Sequence, residues 1–448
     1  MTGPHLASPR PVEVTIPLPP GLTAQDLLRG YEHRFGPAFL YGQPSAGTSS
    51  PRVTVLTTCE RTWWIDQVGS VVDGRRVPGS PTESFDRALT AVSRVAAGPA
   101  WVPDVVFALS YDLVWPLRAA RGLSSRDAPG ALAFVARPGH PVLVDEAAGQ
   151  VRCLPPDRAV VEELAERSGR RARPGGTLTE FVERVDEVAY RRQFSDVQRH
   201  LARGEVYQLL VSAEARVRAR VDRYEYFAEV CRRYRDASFS YRFHGQDGLV
   251  LGACSLPHVH VDGSTVRTRV FAGTQPSSGP PSAVSAAERA LAEDPRFFAE
   301  HAMLVDVERN DLATICEPGS VVVERFMEPL AVGPTIYLAS DVRGTVREDV
   351  STAETVLANF PRGVGTGAPK ARAQEVLDDI ETSSRRHYTG VVGTVSEAGA
   401  RVRSTTVVTC ASEDEEGVLS LRCGGGIVSG STPDAELAEL HLKMSALV

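Results

Sequence analysis

Cys423-Gly424-Gly425-Gly426-Ile427-Val428-Ser429-Gly430-Ser431-Thr432-Pro433-Asp434-Ala435-Glu436-Leu437-Ala438-Glu439-Leu440-His441-Leu442-Lys443 reads as a glycine-rich strand end, a turn and a helix start. Ser431-Thr432 offers an N-cap, Pro433 suits the first helical position, and Asp434 complements the positive helix end. Glu436, Glu439 and Lys443 then fall at i, i+3 and i+7 and share one face. Two readings fit that spacing. Carboxylates in register can ligate Mg²⁺ through oxygen, with the lysine one turn on receiving an anionic group of a ligand. Alternatively, the face is a solvated ion-pair ladder worth about 0.2–0.5 kcal/mol. The glycines just ahead, which let backbone approach a ligand closely, favour a site.

Lysine usage points the same way. The chain has 49 basic Lys and Arg residues, and only two are lysine, Lys370 and Lys443. Lys370 ends Gly363-Val364-Gly365-Thr366-Gly367-Ala368-Pro369-Lys370, a loop that opens a helix from Ala371 and whose N–H groups favour an anion. The spacing is not that of a P-loop. A third acidic feature lies at Asp294-Pro295, which caps and opens a helix carrying Glu300 and His301. Glu300 is a candidate third metal ligand, and His301 is either functional or a satisfied structural histidine.

Composition bounds the rest. At 448 residues and 42% hydrophobic, the chain can bury one large core or several ordinary ones. A net charge of −7 with interspersed signs leaves no basic footprint for nucleic acid. No run of about 18 apolar residues occurs, so neither membrane spanning nor export is expected. Seven scattered cysteines without a CxxC pair fit reduced thiols in a cytoplasmic protein.

Short apolar runs at 53–56, 105–109, 132–135 and 141–144 read as strands, and 159–171 as a helix leading to the linker candidate Pro174-Gly175-Gly176. A helical pattern spans 180–203, followed by a strand from Val206. Further strands are expected near 249–251, 266–271, 321–323, 391–395, 402–409 and 419–421, with helices at 297–308, 352–359, 371–381 and 434–445. Helices alternating with strands in this way indicate α+β or α/β layers around large sheets. The division is residues 1–172 and 178–448, packed as one unit.

The segments GEVYQLLVS (204–212), FAGT (271–274), AEHAMLVDVERNDL (299–312), FPRGVGTGAPKARAQEVLDDIE (360–381) and GGGIVSGSTPDAELAELHLK (424–443) resemble the chorismate-utilising enzymes. That family includes the large subunits of anthranilate and aminodeoxychorismate synthases and the isochorismate and salicylate synthases. The resemblance implies one large α+β domain like anthranilate synthase component I, with two antiparallel sheets around a cleft and flanking helices. It implies Mg²⁺-dependent chemistry on a small anionic shikimate-derived substrate, with ammonia taken free or from a glutamine amidotransferase subunit. Carried over by position, Glu300, Glu436 and Glu439 match the metal shell. Ala272, Gly273, Thr274, Gly365, Thr366, Gly367, Lys370, Tyr388, Gly425, Gly426 and Lys443 match substrate-binding positions, and the family's substrate-binding arginine is either displaced to Arg403 or lost. Gln208, His301 and Tyr337 match catalytic ones, and glutamine at 208 resembles the ammonia-using members.

Departures from the pattern are specific. Leu256 stands where members carry the glutamate that protonates the departing hydroxyl, a role worth about 10²–10⁴-fold in rate. Phe297 replaces a further carboxylate near the metal, and Tyr337 replaces a histidine. Phe39-Leu40-Tyr41-Gly42-Gln43 replaces the stretch found in tryptophan-inhibited members, so no tryptophan feedback is expected. Two functions fit: a divergent lyase or synthase of the aminating type in a specialised pathway, or a catalytically degenerate homologue serving as a ligand-binding or partner subunit.

Overall fold

The computed structural model describes residues 13–44, 52–93, 99, 101–128, 130–168, 178–234, 237, 239–246, 248–276, 281–332, 335–414, 416–445 and 447–448. Its strand pairings are antiparallel, and two arms spread from the long pair Arg52–Asp66 and Ala133–Asp145. One arm runs, neighbour to neighbour, through Ala38–Pro44, Phe239–Gly245, Gly248–Cys254, Cys410–Glu413, Val418–Ile427 and Gln208–Ala219. The other runs through Val105–Leu109, Val391–Ser396, Arg401–Thr406, Pro257–Asp262, Thr265–Pro276, Thr335–Thr345 and Val322–Val332. Each arm therefore begins with one strand from the first half of the chain and continues through strands of the second half. The linker candidate at 174–176 lies outside the described residues.

Period-two alternation decides what each arm buries. In strand Gln208–Ala219, Leu209, Val211, Ala215 and Val217 enter a core shared with helices Ala24–Phe35, Glu187–Ala202, Arg223–Arg233, Lys370–Ile380 and Pro433–Ser445. Gln208 and Leu210 face the other way. A second core lies between the other arm and helices Pro81–Ser93, Pro295–Ala313 and Thr352–Ala358. Between the arms, Phe39, Phe134, Phe239, Phe243, Val392 and Tyr388 form a third cluster.

The structure corrects several expected elements. Residues 180–183 are not helical: Thr179–Glu183 is a strand on the edge of Gln208–Ala219, and the helix starts only after Asp186, whose side chain accepts from the Ala189 N–H at 2.9 Å. The runs at 132–135 and 141–144 belong to a single strand, Ala133–Asp145, which stays paired across an irregular register near Gly139. The 363–370 segment is not an open loop. It forms a helical turn, Gly363–Thr366, and a two-residue strand, Gly367–Ala368, paired with Gln208 and Leu209.

Candidate functional site

The two arms meet at a cleft of about 1060 Å³, part of it open to solvent. Strand Gln208–Ala219 contributes Gln208 and Leu210, strand Val418–Ile427 contributes Gly424 and Gly426, and strand Thr265–Pro276 contributes Phe271, Ala272 and Gly273. Helix Pro295–Ala313 adds Glu300, and helix Pro433–Ser445 adds Glu439, Leu442 and Lys443. Tyr337 and Tyr388 complete the wall around the lysine.

The charged part of the cleft is tightly paired. Lys443 Nζ lies 2.6 Å from Glu439 Oε1 and donates to the Gly424 carbonyl at 3.0 Å. Burial works against its charge, but Glu439 and the neighbouring phenols outweigh burial and raise the Lys443 pKa. Gln208 Nε2 donates to Glu300 Oε1 at 2.7 Å, while Gln208 Oε1 is buried without a protein partner. Burial, with the Glu439 and Glu436 carboxylates nearby, pushes Glu300 up to about 8. Glu436 is likewise pushed up to about 7, by burial and by Glu439, against a hydrogen bond from Ser431.

Such crowding of carboxylates in a low-dielectric site is relieved by protons or by a cation. The donor set is all oxygen, which suits Mg²⁺, an ion that keeps several waters and takes few protein ligands. Gly425 lets the carboxylates come close to the backbone: an added Cβ would press on Glu436 Oε2 at 3.0 Å and lie 3.8 Å from Glu439 Oε1. The carboxylates do not converge as a ready-made cage. Among the described residues no three acidic, histidine or cysteine side chains are so arranged, and Glu300 and Glu439 each turn one oxygen to a protein partner.

The glycines serve a different purpose from the one their sequence implied. A Cβ on Gly426 would sit 2.1 Å from Gln208 Nε2, and one on Gly424 would sit 2.7 Å from the Tyr388 hydroxyl and 2.6 Å from the Val211 carbonyl oxygen. The space they leave is thus filled by side chains of the site itself. Gly273, at φ +70°, is required by its backbone, and a Cβ there would press on Leu291 at 2.9 Å. The side chain of Thr274 lies outside the described residues.

Other expected site residues are placed away from the cleft. Lys370 Nζ is 2.6 Å from Asp311 Oδ2 and donates to the Pro361 carbonyl at 3.2 Å, so its charge is spent holding two segments together. Arg403 pairs with Asp262 at 2.6 Å and donates to the Val261 carbonyl at 2.8 Å. His301 Nε2 lies 2.6 Å from Ser340 Oγ, and burial pulls its pKa down to about 4, which suits a neutral structural histidine. Thr366 Oγ1 donates to the Arg362 carbonyl at 2.8 Å. A Cβ on Gly365 would meet Thr389 at 3.1 Å, and one on Gly367 the Gln208 carbonyl oxygen at 2.2 Å, so these positions are packed against protein.

Sequence reasoning missed Arg385. Its guanidinium is fully enclosed, donates to Gly365 O and Leu210 O at 2.6 Å each, pairs with Glu381 at 2.6 Å, and lies over the Tyr111 and Tyr388 rings. It ties Leu210 and Tyr388, both in the cleft wall, to the 363–370 segment. In a chain with so many arginines, nothing local distinguishes it. Phe297, one turn before Glu300, packs with Leu291, Ile336 and Leu338.

Residues 49–448 match the family model described as chorismate binding enzyme. The chain is 35% identical over 256 residues to a 2-amino-4-deoxychorismate synthase of Streptomyces globisporus, covering 56% of this chain and 51% of that protein. It is 36% identical over 270 residues to an anthranilate synthase component 1 of Haloarcula marismortui, covering 60% and 53%. The chain spans about half the length of these curated relatives. Its fold matches the crystal structure of anthranilate synthase component I from Streptococcus pneumoniae with a TM-score of 0.75 at 18% identity, over 90% of this chain and 94% of the other. With the cleft, its paired lysine and its crowded carboxylates, this match places the chain in the chorismate-binding enzyme family.

Proposed function

We propose that the chain is a divergent Mg²⁺-dependent enzyme of the aminating type, acting on chorismate or a related cyclohexadiene carboxylate with altered acid–base chemistry in a specialised biosynthetic pathway. The observation that carries this reading is the Lys443 ammonium, held on the Gly424 carbonyl and Glu439 in the same cleft as Glu300 and Gln208. A compact cation in that position receives a carboxylate of the ligand. Glu300, Glu436 and Glu439 would hold Mg²⁺ with waters, and the bound ion would neutralise ligand carboxylates and charge developing on them.

Gln208 carries no ionisable group and so cannot remove a proton from water. Its unpartnered Oε1 can accept an N–H from ammonia, supplied free or by a glutamine amidotransferase subunit, and so orient the nitrogen lone pair. Tyr337 supplies an O–H in the cleft wall as the proton donor. The free thiols among the described residues suit a reducing cytoplasm. The test is purified protein with Mg²⁺, ammonium and, in turn, chorismate, isochorismate and aminodeoxyisochorismate, followed by mass spectrometry. Loss of chorismate with appearance of an aminated or pyruvate-free product is expected, and the enzymatic reading is overturned if chorismate, isochorismate and aminodeoxyisochorismate are all left unchanged. One observation favours the second reading, a ligand-binding subunit: Leu256, which by the sequence resemblance stands in place of an acid, lines the cleft. Binding without turnover would establish it.

A further inference from the structure

The cleft has a second part of quite different chemistry. Leu210, Cys254, Leu256 and Val408 all line it, and the first three are 8%, 4% and 5% exposed. Leu256 is held firmly in place, because its carbonyl accepts from Thr405 Oγ1 at 2.8 Å and from the Thr406 N–H at 2.9 Å. The Cys254 thiol is tied to Thr405 Oγ1 at 3.0 Å and the Thr406 carbonyl at 3.3 Å.

Three polar groups that line the cleft beside this patch are already engaged within the protein. The Thr409 carbonyl takes the Tyr241 hydroxyl, Tyr234 donates its hydroxyl to the Lys443 carbonyl at 3.1 Å, and Ser255 has an interaction of its own. A hydroxyl pressed against this part of the cleft would lose its water and find no ready partner, whereas a ring C–H edge would fit without loss.

We propose that Leu256, with Leu210, Cys254 and Val408, forms an apolar subsite that selects a ring carboxylate whose edge at that position bears no hydroxyl. This rests on the reading of the cleft as a ring-acid site anchored at Lys443. A ring that sets its carboxylate on Lys443 and still fills the cleft lays another edge on these four residues. Leu256, whose backbone is fixed by the two hydrogen bonds to its carbonyl, is then the specificity-determining residue.

The test is titration calorimetry of the whole chain in Mg²⁺ with two probes, chorismate and its deoxy analogue lacking the ring hydroxyl. The deoxy analogue is expected to bind at least about fivefold more tightly, the effect of burying one hydroxyl without a partner. Leu256→Glu is expected to reverse the order and Leu256→Met to keep it. Should Leu256→Glu fail to fold, the wild-type and Leu256→Met comparisons decide. Equal affinity for the two probes, or tighter binding of chorismate by the wild type, overturns the apolar subsite alone. Binding of neither probe overturns the ring-acid reading along with it.

Discussion

Replacing Glu300 by glutamine tests the electrostatics of the cleft directly. The carboxyl is pushed up to about 8 by burial and by the Glu439 and Glu436 carboxylates, from an ordinary value of 4.5. A carboxyl whose pKa is raised on folding contributes stability that is complete below about 4.5 and is lost as pH rises through 8. At about 1.4 kcal/mol per pH unit, the full loss is about 5 kcal/mol. Glu300 keeps some contact with solvent, so about half of this, ~2–3 kcal/mol, is expected after screening. An unfolding entropy of about 2.1 cal/mol/K per residue over 448 residues converts that to about 2–3 °C in Tm. The neutral amide resembles the protonated acid and can still accept from Gln208, so Glu300→Gln should match wild type near pH 5. With dications chelated, scanning calorimetry should show the variant pulling ahead by about 2–3 °C at pH 9. Mg²⁺ should then raise the wild-type Tm at pH 9 more than that of the variant. A Tm offset between variant and wild type that stays constant from pH 5 to 9 would refute the claim that burial and like-charge crowding raise the Glu300 carboxyl.

Paired substitutions separate site from scaffold. Gly426→Ala puts a Cβ where Gln208 Nε2 now lies, and that flexible amide can swing away; kinetics should show about a tenfold loss of activity with a Tm change under about 1 °C. Gly424→Ala meets the Val211 backbone oxygen instead, so chemical denaturation should show a loss of about 1–3 kcal/mol. Lys443→Met should abolish measurable ligand binding by calorimetry. Lys370→Met should leave ligand affinity within about twofold and, by stranding the buried Asp311, lower stability by about 2–4 kcal/mol in urea titration. Tryptophan at millimolar concentration should leave both Tm and ligand affinity unchanged, because the 39–43 segment is an inner strand with Phe39, Leu40 and Tyr41 fully buried.

What the chain determines by itself is local. Thr432 and Pro433 start the last helix wherever it is placed, and helical geometry puts Glu436, Glu439 and Lys443 on one face before any tertiary contact exists. Alternation in the strand from Gln208 likewise presets that Gln208 and Leu210 share a face. These preferences act over a few covalently linked residues, so they are legible without a structure. Tertiary structure decided which of two lysines in glycine-rich settings reaches the cleft. Lys370 finds Asp311, 59 positions away, because helix Pro295–Ala313 lies alongside the 363–370 segment, and no local pattern encodes that proximity. The same holds for Arg385, whose partners at 210, 365 and 381 meet only after the sheets are assembled. It holds also for Thr179–Glu183, drawn into a strand by an open sheet edge despite a helix-compatible sequence. Charge pairing and edge pairing depend on separation in space, and only the register of the assembled strands sets that separation.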